Sequence, residues 1–450
     1  MYAQSTNKRQ KTINSRETAR NLEANDYFPG LNRVEFHADA AYEDTLTYQY
    51  YNATERIHGR AMEDWLRPCI SFRNAFCHSG GDYPLNSTLC KSWDDGSHTE
   101  ENYKRRLKAA FELYSKLGVK YWTLYDTDIA PEGDTLEETH HFIEESTQVI
   151  LDLQQRTGIK PLWVAADLRT NCRYVSGAVT SPEAYITGYA GAQLKKALDI
   201  AHKLGAENFL FKGFYEGYTS ILNTDIPREL RTYSRVLKMI VDYKERLGYR
   251  GQLLLEPCYN YDNSKNHDNF LQHNYIHSIT SALSFLKHYN LDRHYKLSVP
   301  PGDQLYMAAA YGFLGSIDAT NLKHLSDISE ATLLFKTVIE QGGIQPGGLN
   351  IGVSLAREST ETKDLFIAYV QQIDRLARGL RNAVKIVEDG LFNKNLQQRY
   401  LSFHTGFGSR IASGEATLED CEDQARKTHG ETVFTSGRTE HWEAVFNRYV

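Results

Sequence analysis

Four hundred and fifty residues, 41% of them hydrophobic and 24% charged, supply ample apolar material for a large core and exclude a disordered chain. A net charge of -6 without any basic block offers nothing for nucleic acid or a membrane surface to bind. No apolar run reaches the roughly 18 residues of a transmembrane segment, and no signal-peptide core appears.

The first 26 residues are polar, with Lys8, Arg9, Lys11, Arg16 and Arg20 set against Glu17 and Glu23. Too little apolar surface is present for such a segment to order itself, so it reads as an arm that packs along another chain. Its composition is also that of a faint mitochondrial transit peptide. The chain is therefore expected to be intracellular, cytoplasmic or in the mitochondrial matrix, and not secreted. Six scattered cysteines, with no CxxC pair and no zinc-type spacing, fit buried thiols in a reducing compartment.

From Tyr27 onward, short apolar runs alternate with long amphipathic stretches. Strands are predicted at Cys69–Phe72, Tyr121–Tyr125, Pro161–Ala165, Asn208–Phe211, Gln252–Glu256, Tyr295–Val299, Leu314–Asp318 and Gly348–Val353. Helices are predicted at Glu100–Leu117, Thr135–Thr157, Pro182–Leu204, Pro227–Leu247, His277–His288, Ile328–Gln341 and Lys363–Asp389. Eight strands, each followed by a crossover, predict an α/β fold of the TIM (β/α)8 class over residues 27–389. The segment Gln304–Gly312 leaves room for a shortened sixth crossover only. Residues 390–450 read as a polar helical tail.

Chemistry in such barrels sits at the C-terminal ends of the strands. The fourth end reads GAENFLFKGFYEGYTSILNTD from Gly205 to Asp225. This closely resembles the xylose isomerase family, whose pattern there is Trp-Gly-Gly-Arg-Glu-Gly-Tyr followed by Leu-Leu-Asn-Thr-Asp. Gly213, Glu216, Gly217, Tyr218 and Leu222 to Asp225 keep that frame. Lys212 stands where the family has the tryptophan walling its sugar pocket, and Tyr215 where it has arginine.

The resemblance implies two divalent ions, Mg, Mn or Co, that polarise a sugar during hydride transfer, with a His-Asp pair opening the ring and a lysine steadying the oxygen. Position by position, the parts are replaced. Phe72-Arg73-Asn74-Ala75 matches the family's Trp-Trp-His-Thr. The ring-opening histidine matches Tyr125, a poor proton acceptor with an ordinary pKa of about 10, while Asp126 and Asp128 persist as residual acid/base candidates. The lysine matches Cys258, beside the surviving ligand Glu256. The bridging glutamate matches Pro300 and the metal-binding histidine Asp303. Asp318 survives, Asp327 is the nearest match in the loop after strand seven, and Gly352 replaces a further carboxylate. Pro84, within Asp82–Ser87, replaces the phenylalanine that reaches into a neighbouring subunit.

The pocket is accordingly expected to involve Phe72, Arg73, Lys212, Tyr215 and Glu216, with no cofactor. Lys212 and Arg73 are expected to compensate carboxylates left without metals. The function expected is that of a catalytically inactive, xylose-isomerase-like structural or interaction subunit, in a homo-oligomer or a larger complex. The alternative is a sugar isomerase or epimerase with single-metal or metal-free chemistry.

Overall fold

The computed structural model describes residues 26–77, 89–258, 273–320, 327–428 and 436–450. Residues 1–25 of the arm and the Asp82–Ser87 segment thus lie outside the described residues.

Eight parallel strands close into a barrel. They are β1 Pro68–Ser71, β2 Tyr121–Tyr125, β3 Lys160–Ala165, β4 Asn208–Lys212, β5 Gln252–Glu256, β6 Tyr295–Val299, β7 Leu314–Ala319 and β8 Leu349–Ile351. Closure comes from β8 pairing with β1, Asn350 beside Cys69. The crossovers are α1 Glu100–Leu117, α2 Leu136–Thr157, α3 Ala184–Lys203, α4 Ile226–Leu247, α5 Ile279–His288, α6 Asp303–Ala310, α7 Ile328–Gln341 and α8 Thr362–Asp389. The sixth, α6, has only eight residues.

Local signals start and stop these helices. Thr99, Thr135 and Asp225 accept backbone N–H bonds at the N-termini of α1, α2 and α4, and glycines in the left-handed conformation end all three. The side-chain period of two then builds two cores. Ile70 on β1 and Phe72 just beyond it face the helices, while Cys69 joins Trp163, Leu210, Leu254 and Tyr125 inside the barrel. Arg67 stops the lower end of the barrel, its guanidinium 4.5 Å above the Tyr121 ring and its charge paired with Glu207.

Beyond α8 come α9 Leu391–Arg399, α10 Gly406–Ser413, α11 Leu418–Thr428 and α12 Thr439–Phe446, none containing a buried residue among those described. No helix of the described residues is long and apolar enough to cross a membrane.

Candidate functional site

Two cation-centred clusters occupy the C-terminal ends of the strands. The first is built across β4 and β5, where Lys212 and Glu256 are in-register neighbours. The Lys212 ammonium is bonded to Glu256 Oε1 and lies 3.6 Å from Asp318 Oδ2. Ser298 donates to Glu256 at 3.1 Å, and Asn350, the register neighbour of Asp318 on β8, donates to Asp318 at 3.2 Å. Asn350 in turn accepts from Thr123 at 2.8 Å. Burial pushes the Glu256 carboxyl up to about 7 despite the pull of Lys212. Burial alone would depress Lys212, but the charges of Glu256 and Asp318 and the hydrogen bond to Glu256 outweigh it and hold the ammonium well above the usual lysine range. The pair is a protonated lysine held by carboxylates.

The second cluster centres on Arg73, in a helical turn (Arg73–Cys77) directly after β1. Its guanidinium reaches Asp128 at 2.8 Å and Asp167 at 2.7 Å, and covers the Tyr125 ring at 3.9 Å. Thr127 accepts from Arg73 at 2.9 Å and donates to Asp167 at 3.0 Å. Burial would raise Asp167 as well, yet Arg73 and Thr170 bring it below the ordinary carboxylate value. Burial raises Asp128 more than Arg73 lowers it. Asp126 accepts the Asp167 N–H at 2.8 Å, and burial pushes its carboxyl up to about 7. The cluster forms one wall of a cavity of about 510 Å³ beside helices α2 and α3, which Arg73, Asp128 and Asp167 line together with Asp126, Arg173 and Gln193.

Tyr125 lies between the clusters with its phenol raised by burial, so it holds its proton at any physiological pH. Cys258 is a free thiol turned toward the Phe214 carbonyl at 3.7 Å, and burial raises it too. Pro300 offers no side-chain ligand. At Gly352 a Cβ would come within 3.0 Å of the Asn74 amide, so glycine there makes room for that side chain.

Three expectations need correction. Phe72 is not a pocket residue: the strand alternation turns it outward, fully buried against Phe76 and Trp122. Glu216 is a loop anchor instead of a pocket residue. Its carboxylate accepts from the backbone N–H groups of Ala178, Val179 and Thr180 and from the Thr180 hydroxyl. Those four bonds satisfy both carboxylate oxygens, although burial still holds the carboxyl above its ordinary value. Asp327 is the N-cap of α7, exposed and accepting from Ser329 N at 2.9 Å, because a helix start leaves N–H groups unpaired. Asp303 is likewise exposed, in the first turn of α6. Tyr215 is half-buried, its backbone beside Gly177.

Asp167, a member of the second cluster, was not among the residues expected from sequence. Asp167 follows Ala165, the last residue of β3, and so carried the positional signal of a strand-end carboxylate.

A family model described as the XylA2 C-terminal domain matches residues 396–450. The xylose isomerase of Hordeum vulgare is 38% identical over 440 residues, covering 94% of this chain and 90% of that one. That of Thermoanaerobacterium saccharolyticum is 35% identical over 445 residues, covering 95% and 99%. Among solved structures, a xylose isomerase domain protein from Alicyclobacillus acidocaldarius aligns with a TM-score of 0.42 at 11% identity, over 70% of this chain and 99% of that one. With more than a third of its residues shared along nearly its whole length, the chain belongs to the xylose isomerase family.

Proposed function

We propose that this family member does not isomerise aldoses at the barrel mouth and acts as a structural or interaction subunit, in a homo-oligomer or a larger assembly. The observation that carries this is the Lys212 ammonium seated against both Glu256 and Asp318. Carboxylates already neutralised by a lysine are poor ligands, since an entering divalent ion would lie against a fixed positive charge. Among the described residues, no group of three His, Cys, Asp or Glu could hold a metal. A pair of divalent ions also needs a bridging ligand, and Pro300 supplies none. The donors present therefore do not fit the ancestral metal pair.

At the mouth itself the one carboxyl raised into the neutral range, Glu256, is already engaged by Lys212 and Ser298. Tyr125 keeps its proton and Lys212 is held charged. The exposed apolar side chains of the tail, Leu396, Leu401, Phe403 and Leu418, support a role in contacts with another chain. Six free thiols support a reducing, intracellular compartment.

Purified protein incubated with xylose or glucose and Mg²⁺, Mn²⁺ or Co²⁺ is expected to give no ketose. Metal-dependent turnover at rates typical of active isomerases would overturn the proposal.

One observation favours the alternative, an isomerase or epimerase with altered chemistry. Asp126, its carboxyl raised to about 7, lines the side cavity and has the proton affinity of a general acid/base. Turnover of a sugar that is lost in Asp126→Asn and insensitive to chelators would select it.

A further inference from the structure

We infer that Lys212 is a built-in replacement cation, and that removing its charge opens a single divalent-cation site on Glu256 and Asp318. The inference rests on the proposed function above and deepens it, because it assigns the exclusion of metal to one side chain. Glu256 and Asp318 converge on one point from neighbouring parts of the barrel wall, and the ammonium is what occupies that point. Their outer oxygens are already held by Ser298 and Asn350, so the carboxylates are fixed in place by groups other than Lys212. Removing the lysine leaves a buried and a half-buried carboxylate at short range, an arrangement that either takes up protons or recruits a cation.

Hard oxygen ligands of this kind suit Mg²⁺ or Mn²⁺, which bind through one or two carboxylates with water completing the shell. An alanine at 212 would vacate the volume of the lysine stem for those waters. Arg73 does not substitute for Lys212, since its guanidinium is engaged by Asp128 and Asp167.

The test compares wild type, Lys212→Ala and Lys212→Ala/Glu256→Gln by Mn²⁺ electron paramagnetic resonance and by thermal melting in EDTA or Mn²⁺. Wild type is expected to bind no Mn²⁺ at the mouth and to melt at the same temperature in both conditions. Lys212→Ala is expected to bind one Mn²⁺ per chain, to melt lower than wild type in EDTA, and to recover by several degrees on adding Mn²⁺. The double variant is expected to lose that recovery. Should Lys212→Ala not fold in EDTA, folding on addition of Mn²⁺ supports the inference. Failure to fold in either condition, with Lys212→Gln also unresponsive to Mn²⁺, overturns it. A folded Lys212→Ala that binds no Mn²⁺ overturns it while leaving the proposed function intact. Wild-type binding of Mn²⁺ that depends on Glu256 overturns the inference, and if accompanied by sugar turnover, the proposed function as well.

Discussion

Arg73 Nε lies 2.8 Å from Asp128 Oδ1, bridging the end of β1 to the turn that follows β2. The same guanidinium holds Asp167 from the end of β3, so one side chain ties three consecutive strand ends together. Both carboxylates are almost fully buried.

Arg73→Met is therefore expected to destabilise the fold by about 3–5 kcal/mol, because it leaves Asp128 and Asp167 buried without a counter-charge. Arg73→Lys should recover only part of that loss, since a point charge cannot serve both acids and cover the Tyr125 ring. Urea unfolding of the three proteins checks the order wild type, Lys, Met.

Asp126 gives a pH dependence of definite sign. Its carboxyl is raised from 3.8 to about 7 by burial, so the folded chain keeps a proton that the unfolded chain releases near pH 4. The unfolded state thus binds fewer protons between about pH 4 and 7, and stability from this group falls as pH rises through that window. Asp126→Asn should remove the fall, gaining on the order of 2–4 kcal/mol relative to wild type at pH 8 compared with pH 4. Denaturation curves at the two pH values decide it. An equal effect of the substitution at both would contradict the assignment.

Glu216 is predicted to matter for folding and not for ligand binding. Glu216→Gln turns a donor toward the N–H groups of the Ala178–Thr180 loop and should cost about 2–3 kcal/mol. Chemical denaturation measures the loss, and hydrogen exchange should place the faster amides at residues 178–180.

The tail separates folding from assembly. Because α9 to α12 contain no buried residue, ending the chain after Gly390 should shift the melting temperature of the barrel by less than about 3 °C. If the tail covers a partner, the same truncation should lower the assembly mass in analytical ultracentrifugation. An unchanged mass would remove the tail from the interface.

Much of this was legible in the chain itself. Short apolar runs alternating with long amphipathic stretches determined the order of strands and helices, since those signals act over a few residues. The resemblance to the xylose isomerase family likewise marked Cys258, Pro300 and Gly352 as positions where the family pattern is replaced, a comparison that needs no coordinates. Pairing was another matter. Asp167 joined Arg73, 94 positions away in sequence, and Lys212 met Glu256 and Asp318, only because barrel closure and strand register bring those ends to one rim. Which face Phe72 presents, and whether Asp327 caps a helix or faces the rim, also followed from packing. Local sequence sets what a segment can become; a contact between distant residues exists only once the chain has closed on itself.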